Sequence, residues 1–146
     1  VTDAVKVMID EARAWIGTPF VHQGRTKGRA VDCLGLMIAV AKAAGFADND
    51  FDEHRYGPCP ISKNMGAGIA EHMNRLPAKD ARPGDWLWIT YGIEPTHLAM
   101  LTEQGTIIHA RPASGKGTSR VVEHRLTPQY RAKARAAWRF KALRRG

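Results

Sequence analysis

The chain has 146 residues, 44% of them hydrophobic and 25% charged, with a formal net charge of +8. That is sequence for one sizeable core, so residues 1–146 are read as a single domain. No run of about 18 apolar residues occurs, which excludes a transmembrane helix, and no charged-then-apolar leader opens the chain, so synthesis in the cytoplasm without a signal peptide is expected. Two cysteines, Cys33 and Cys59, are too few for a disulfide scaffold, although one bridge between them is open. The excess of cations favours polyanionic partners, either nucleic acid or an anionic cell-envelope polymer.

Residues 3–16 carry Val5, Met8, Ile9, Ala12, Trp15 and Ile16 on one helical stripe, with Thr2 as cap and Gly17-Thr18-Pro19 as stop. Such a stripe reads as core. A polar, glycine-bearing loop over 20–30 then brings Arg25, Lys27 and Arg29 up to the next segment. Residues 31–45 predict a helix with Asp32 as N-cap, Gly45 as its left-handed terminator and Cys33 in its first turn. A thiol there has two readings. It is a small buried apolar residue, or a thiolate held by the helix dipole and the nearby cations.

The acidic stretch 46–60 sets Cys59 between Pro58 and Pro60, away from any helix end, so it reads as structural. Residues 62–76 predict a helix capped by Ser62, with Met65, Ile69, Met73 and Leu76 inward, a pattern that Gly66 and Gly68 weaken. A connector at 77–80 and a turn at Arg82-Pro83-Gly84-Asp85 follow. From there the apolar period is two. Strands are predicted at 86–89, 96–102, 106–110 and 121–124, then a short basic helix at 127–135 and a closing strand at 136–143. In the 111–120 loop, Ser114-Gly115-Lys116-Gly117-Thr118 lacks the upstream glycine and the hydroxyl after lysine that a phosphate-binding loop needs. Helices first and strands after make an α+β plan.

Two histidines stand in adjacent strands, and their faces depend on the turn between them. A two-residue turn at Gln104-Gly105 pairs Met100 with His109 and puts His97 and His109 on opposite faces. A three-residue loop, Glu103-Gln104-Gly105, pairs Ala99 with His109 instead, and it wants a left-handed glycine where Gly105 stands. The two imidazoles then share a face as diagonal neighbours. That face holds His97, Ala99, Leu101, Ile107 and His109; the other holds Leu98, Met100, Ile108 and Ala110. A cysteine nucleophile needs a base, and the base needs an orienting partner. Cys33, His97 and His109 fill these roles if the helix start packs on the histidine face, with the oxyanion at the N–H groups of that helix start.

The order Gly17-Thr18-Pro19-Phe20, Asp32-Cys33-x-Gly35-Leu36, Pro83-Gly84-Asp85, His97 and Ile108-His109-Ala110 resembles the NlpC-type cell-wall peptidases. These are compact papain-like enzymes that cleave peptidoglycan stem peptides. The resemblance runs over essentially the whole chain. It implies an α+β papain-like NlpC-type fold, with the cysteine helix packed on a small antiparallel sheet, and no cofactor. It also implies Cys33 as nucleophile, His97 as general base and acid, and His109 as the third member. The segment Phe20-Val21-His22-Gln23-Gly24-Arg25 is most similar to the branch found in phage tails and gene-transfer-agent particles. That implies structural proteins of such particles as partners and action at the bacterial cell wall.

Two departures bear on substrate. Phe20 stands where many members have tyrosine, and Leu34 where most have serine. Asp32, His22, Gln23 and Phe20 are therefore the candidate substrate-binding residues, with His22 and Gln23 as replacement donors near the nucleophile. No C-x-x-C or H-E-x-x-H supports a metal site. His54, His72 and His124 read as surface or packing residues. Arg131, Lys133, Arg135, Arg139, Lys141, Arg144 and Arg145, with Tyr130 and Trp138 interleaved, form a basic stretch. Trp138 and Phe140 fit an inward-facing strand, so no nucleic-acid partner is expected. The alternatives are amidase or acyltransferase chemistry at the same Cys–His pair, and a basic tail-assembly or nucleic-acid-binding protein without hydrolytic activity.

Overall fold

In the computed structural model, which describes residues 1–52, 72–90, 95–111 and 119–143, the first helix α1 is Asp3–Ala14. It begins where Thr2 Oγ1 accepts the Val5 N–H at 3.3 Å. Val5, Met8, Ile9, Ala12 and Trp15 are buried as expected, but Ile16 is 45% exposed. The helix has already ended at its C-cap, Trp15, so Ile16 is off the helical stripe.

The expected loop over 20–30 contains a small hairpin, β1 (Arg25–Thr26) and β2 (Ala30–Val31). The cysteine helix α2 is Cys33–Ala43, capped by Asp32, with Gly45 at φ +77° just beyond it. Cys33 through Ile38, Val40 and Ala41 are all buried. A helix apolar on nearly every side belongs inside the molecule, and α2 lies between α1 and a six-stranded sheet.

The strands are β3 (Met73–Leu76), β4 (Trp86–Thr90), β5 (Pro95–Leu101), β6 (Thr106–Arg111), β7 (Arg120–Arg125) and β8 (Ala134–Phe140). A short helix α3 (Pro128–Lys133), capped by Thr127, precedes β8. Every pairing in the sheet is antiparallel, in the order β3-β8-β4-β5-β6-β7. The helix predicted at 62–76 is corrected at its end. Met73–Leu76 is an edge strand, with Met73 opposite Phe140 and Leu76 opposite Ala137. Pairing with β8 outweighs a helical pattern already weakened by two glycines. Residues 62–71 of that prediction, Cys59, His54, the 114–118 segment, Arg144 and Arg145 lie outside the described residues.

The loop between β5 and β6 is the three-residue one. Met100 pairs with Ile108 and Leu101 with Ile107, which sets Ala99 opposite His109. Gly105 is left-handed at φ +73°, and its N–H donates to the Thr102 carbonyl at 3.3 Å. The two faces therefore divide as the alternation demands. Trp86, Trp88, Leu98, Met100, Ile108, Ala110, Ala136 and Phe140 join α1 and α2 in the main core. Leu87, Ile89, Ala99, Ile107 and Ala137 form a smaller cluster on the other face, with Tyr130 and Ala134 packed on it.

Candidate active site

His97 and His109 belong to the smaller face, where period-two alternation puts them alongside Ala99 and Ile107. Nε2 of His97 and Nδ1 of His109 are 2.6 Å apart, with the rings edge to face. Nε2 of His109 is in turn 2.8 Å from Nε2 of His124. Nδ1 of His124 is 2.9 Å from the Arg125 carbonyl oxygen. The Tyr130 ring packs against both His109 and His124. His124 packs on Tyr130 and also extends the expected pair into a line of three. His72 packs against Phe51.

Burial holds His97 and His109 neutral. It lowers His97 from 6.5 to about 3. His109 falls to about 2, through burial first and then the cost of charging it beside His97, His124 and Arg111. A neutral imidazole is the form that can take a proton.

Cys33 reaches the same strand from the main core. It is free of disulfide and 3% exposed. Backbone N–H groups of Leu98 and Leu34, with its own, act on the sulfur in the direction that favours thiolate. Leu98 is the residue after His97, so the thiol meets β5 at the backbone beside the proposed base. The expectation that α2 packs on the histidine face is corrected: α2 packs on the opposite face, with Leu98, Met100 and Ile108. Cys33, in the first turn of the helix, meets β5 at Leu98, next to His97.

Of the two readings of the thiol, the buried one fits the structure. The thiol is pushed up to about 12, by burial first and then by the Asp32 carboxylate. Two of the loop's three cations are held by carboxylates. Arg25 spans Asp32 (3.0 Å) and Asp52 (2.8 Å), and Lys27 pairs with Glu11 at 2.8 Å.

The loop ahead of the nucleophile is built on Asp32, which is 3% exposed. Its Oδ1 accepts from the Gly35 N–H at 2.8 Å and from Arg25, and its Oδ2 accepts from the Gln23 N–H at 2.8 Å. Gln23 is held at φ 60°, a left-handed conformation unusual for a side-chain-bearing residue. His22 Nδ1 lies 3.9 Å from the same carboxylate, and Phe20 packs half-buried against the main core. Gly35 is required by space: a Cβ there would sit 2.6 Å from the Gly24 carbonyl oxygen. Asp32, Cys33 and Gly35 thus form one unit in which the cap, the thiol and the loop approach are set together. Among the described residues no cluster of three or more His, Cys, Asp or Glu side chains is arranged to hold a metal ion.

The model of the NlpC/P60 family matches residues 17–135, from the stop of α1 to the start of β8. The chain belongs to the NlpC/P60 family. No curated protein matches the sequence. Among solved NlpC/P60 structures, the NlpC/p60 domain of the peptidoglycan hydrolase SagA is 20% identical, with a TM-score of 0.61 over 91% of this chain and 96% of that one. A lipoprotein-like NLP/P60 protein from Staphylococcus aureus is 21% identical, with a TM-score of 0.63 over 96% of this chain and 42% of its own. The chain therefore spans less than half of that protein's length. RipD from Mycobacterium tuberculosis is a non-catalytic NlpC/p60 domain protein adapted to peptidoglycan binding. It is 16% identical, with a TM-score of 0.59 over 95% and 98% of the two chains. At these identities the likeness concerns the fold. NlpC/P60 proteins thus include both hydrolases and a binding protein, and the chemistry has to be argued from this chain's own residues.

His124 and Tyr130 are the neighbours that the sequence reading missed. The signal for His124 is the pairing of Ile107 with His124, which puts it on the histidine face. That register spans a long loop and is not readable from turn chemistry.

Proposed function

We propose that this NlpC/P60 protein is a cysteine endopeptidase that hydrolyses amide bonds in peptidoglycan stem peptides. The observation that carries the reading is the His97–His109 contact of 2.6 Å, on the strand whose Leu98 N–H meets the Cys33 sulfur. Cys33 is the nucleophile, His97 the general base and acid, and His109 the group that orients His97. Because burial keeps the thiol protonated and the imidazole neutral, attack and proton transfer go together. As sulfur bonds to the amide carbonyl carbon, its proton passes to His97, and the oxyanion forms near the N–H groups at the start of α2. Collapse breaks the C–N bond, and His97 returns the proton to the leaving amine. Water then attacks the thioester carbonyl, giving a proton to His97. The C–S bond breaks, His97 returns that proton to the sulfur to regenerate the thiol, and the carboxylic acid leaves as carboxylate with its own proton lost to solvent.

Asp32, Gln23, His22 and Phe20 flank the nucleophile and are the proposed binding residues for the stem peptide. The likeness of the segment from Phe20 to Arg25 to the phage-tail and gene-transfer-agent branch supports delivery by a phage-like tail, with its structural proteins as partners. The net charge of +8 suits an anionic wall.

A second reading has one observation in its favour. With Cys33 only 3% exposed, the domain would bind stem peptides without cutting them. Mass analysis of purified muropeptides incubated with wild type and with Cys33→Ala decides between the two. The peptidase reading expects new products with wild type, and a loss on the order of 10⁶-fold in the variant. Identical profiles, with both proteins still retained on peptidoglycan, would leave the binding reading. The product masses separate endopeptidase from amidase or acyl-transfer chemistry.

A further inference from the structure

The three imidazoles on the smaller face end on a group with only one chemical role. A carbonyl oxygen accepts and never donates, so the 2.9 Å contact with Arg125 makes Nδ1 of His124 a donor. A neutral imidazole carries one N–H. In the neutral form of His124 Nε2 is therefore an acceptor, and Nε2 of His109 donates to it across 2.8 Å. By the same count Nδ1 of His109 accepts, and Nε2 of His97 donates to it across 2.6 Å. Nδ1 of His97 is left with the lone pair.

We propose that His124 is a positioning residue: anchored on the Arg125 carbonyl, it sets through His109 the tautomer in which Nδ1 of His97 is the basic nitrogen. The inference rests on the reading of His97 as the base, and it adds a residue of β7 to a site otherwise built from α2, β5 and β6. Sheet geometry makes the line possible. Ile107 pairs with His124 and Ala99 stands opposite His109, so each ring lies diagonal to the next across three neighbouring strands. Tyr130 packs on the rings of His109 and His124 and limits their rotation. Without an acceptor at position 124, the His109 tautomer with its proton on Nε2 loses the support of that bond. His109 could then donate from Nδ1, and the proton on His97 would sit on the wrong nitrogen.

The test reads the tautomers directly. In ¹⁵N-histidine-labelled Cys33→Ala protein, long-range ¹H–¹⁵N NMR is expected to show His97 protonated at Nε2 and unprotonated at Nδ1. His124→Leu removes the acceptor and is expected to shift His97 towards the other tautomer. His124→Gln, whose side-chain oxygen can accept from His109, is expected to restore it. With the Cys33 thiol present, His124→Leu is expected to lower kcat on muropeptides on the order of ten- to a hundred-fold, the range for groups that orient a reacting residue. KM is expected to be unchanged, and His124→Gln to recover most of the loss. If His124→Leu does not fold, His124→Asn, too short to reach His109, replaces it. A parent protein with His97 protonated at Nδ1, or an unaltered His97 tautomer in the variants lacking the acceptor, would overturn the proposal. Failure of the peptidase reading shows up separately, as no wild-type cleavage, while the NMR result still decides the role of His124.

Discussion

At Cys33 two influences of opposite sign meet. Backbone N–H groups of Leu98, Leu34 and Cys33 favour the thiolate, whereas burial and the Asp32 carboxylate favour the thiol and prevail. Alkylation of Cys33 by iodoacetamide in a Cys59→Ser background is therefore expected to be slow at neutral pH and to climb through the alkaline range; a rate that saturates below pH 8 would contradict the site described. The same groups shape stability. The unfolded chain binds protons at His97 and His109 below 6.5 that the native state refuses until about 3 and about 2, so stability falls as pH drops through that window. Above 9.0 the unfolded chain releases a Cys33 proton that the native state keeps until about 12, so stability falls again as pH rises. Urea midpoints are expected to peak near about pH 7.5, with lower values at about pH 4.5 and about pH 10.5. Gly35 adds a steric prediction. With only 2.6 Å between an added Cβ and the Gly24 oxygen, Gly35→Ala is expected to destabilise the fold by about 1–3 kcal/mol, measured by denaturant unfolding.

Between elements, the turn that reads in sequence as Arg82-Pro83-Gly84-Asp85 turns out to be a clamp. Asp85 is 1% exposed. Its carboxylate receives two hydrogen bonds from Arg139 of β8, at 3.0 and 2.7 Å, and a third from the Arg82 N–H at 2.8 Å. The clamp holds β8 beside the start of β4, where Trp86 pairs with Trp138. Arg139 therefore has a structural partner and is not simply one cation of a solvated basic stretch. Arg139→Leu leaves a buried carboxylate without its counter-charge, and a loss of about 3 kcal/mol in thermal or denaturant unfolding is expected. On the far side, Arg13 of α1 grips Glu123 of β7 with two contacts of 3.0 Å, and Thr106 donates to the same carboxylate at 2.6 Å. That ion pair ties the first helix to the strand that also carries His124.

For the whole molecule, 22 lysines and arginines stand against 14 acids. Arg13, Arg25, Lys27 and Arg139 are engaged with carboxylates, and the remaining excess sets the long-range field. Retention on purified anionic cell-wall material is expected to weaken as salt is raised above about 0.1 M, where screening shortens to about 10 Å. Retention that ignores salt would mean that recognition rests on the stem-peptide site alone. No described helix is long and apolar enough to cross a membrane.

Much of this protein is local in origin and legible in the sequence. Thr2, Asp32 and Thr127 cap helices through their own side chains, and Gly105 selects the loop that brings His97 and His109 onto one face. Caps and turns involve residues a few positions apart, so the chain alone determines them. The edge strand at Met73–Leu76, the clamp on Arg139, the side of the sheet on which α2 lies and the reach of His124 to His109 depend on segments far apart in sequence. The electrostatics belong with them. A thiol at a helix start beside three cations leaves thiol and thiolate both open; packing closes water out and pairs Arg25 and Lys27 with carboxylates, and desolvation, a property of the assembled core, decides for the thiol.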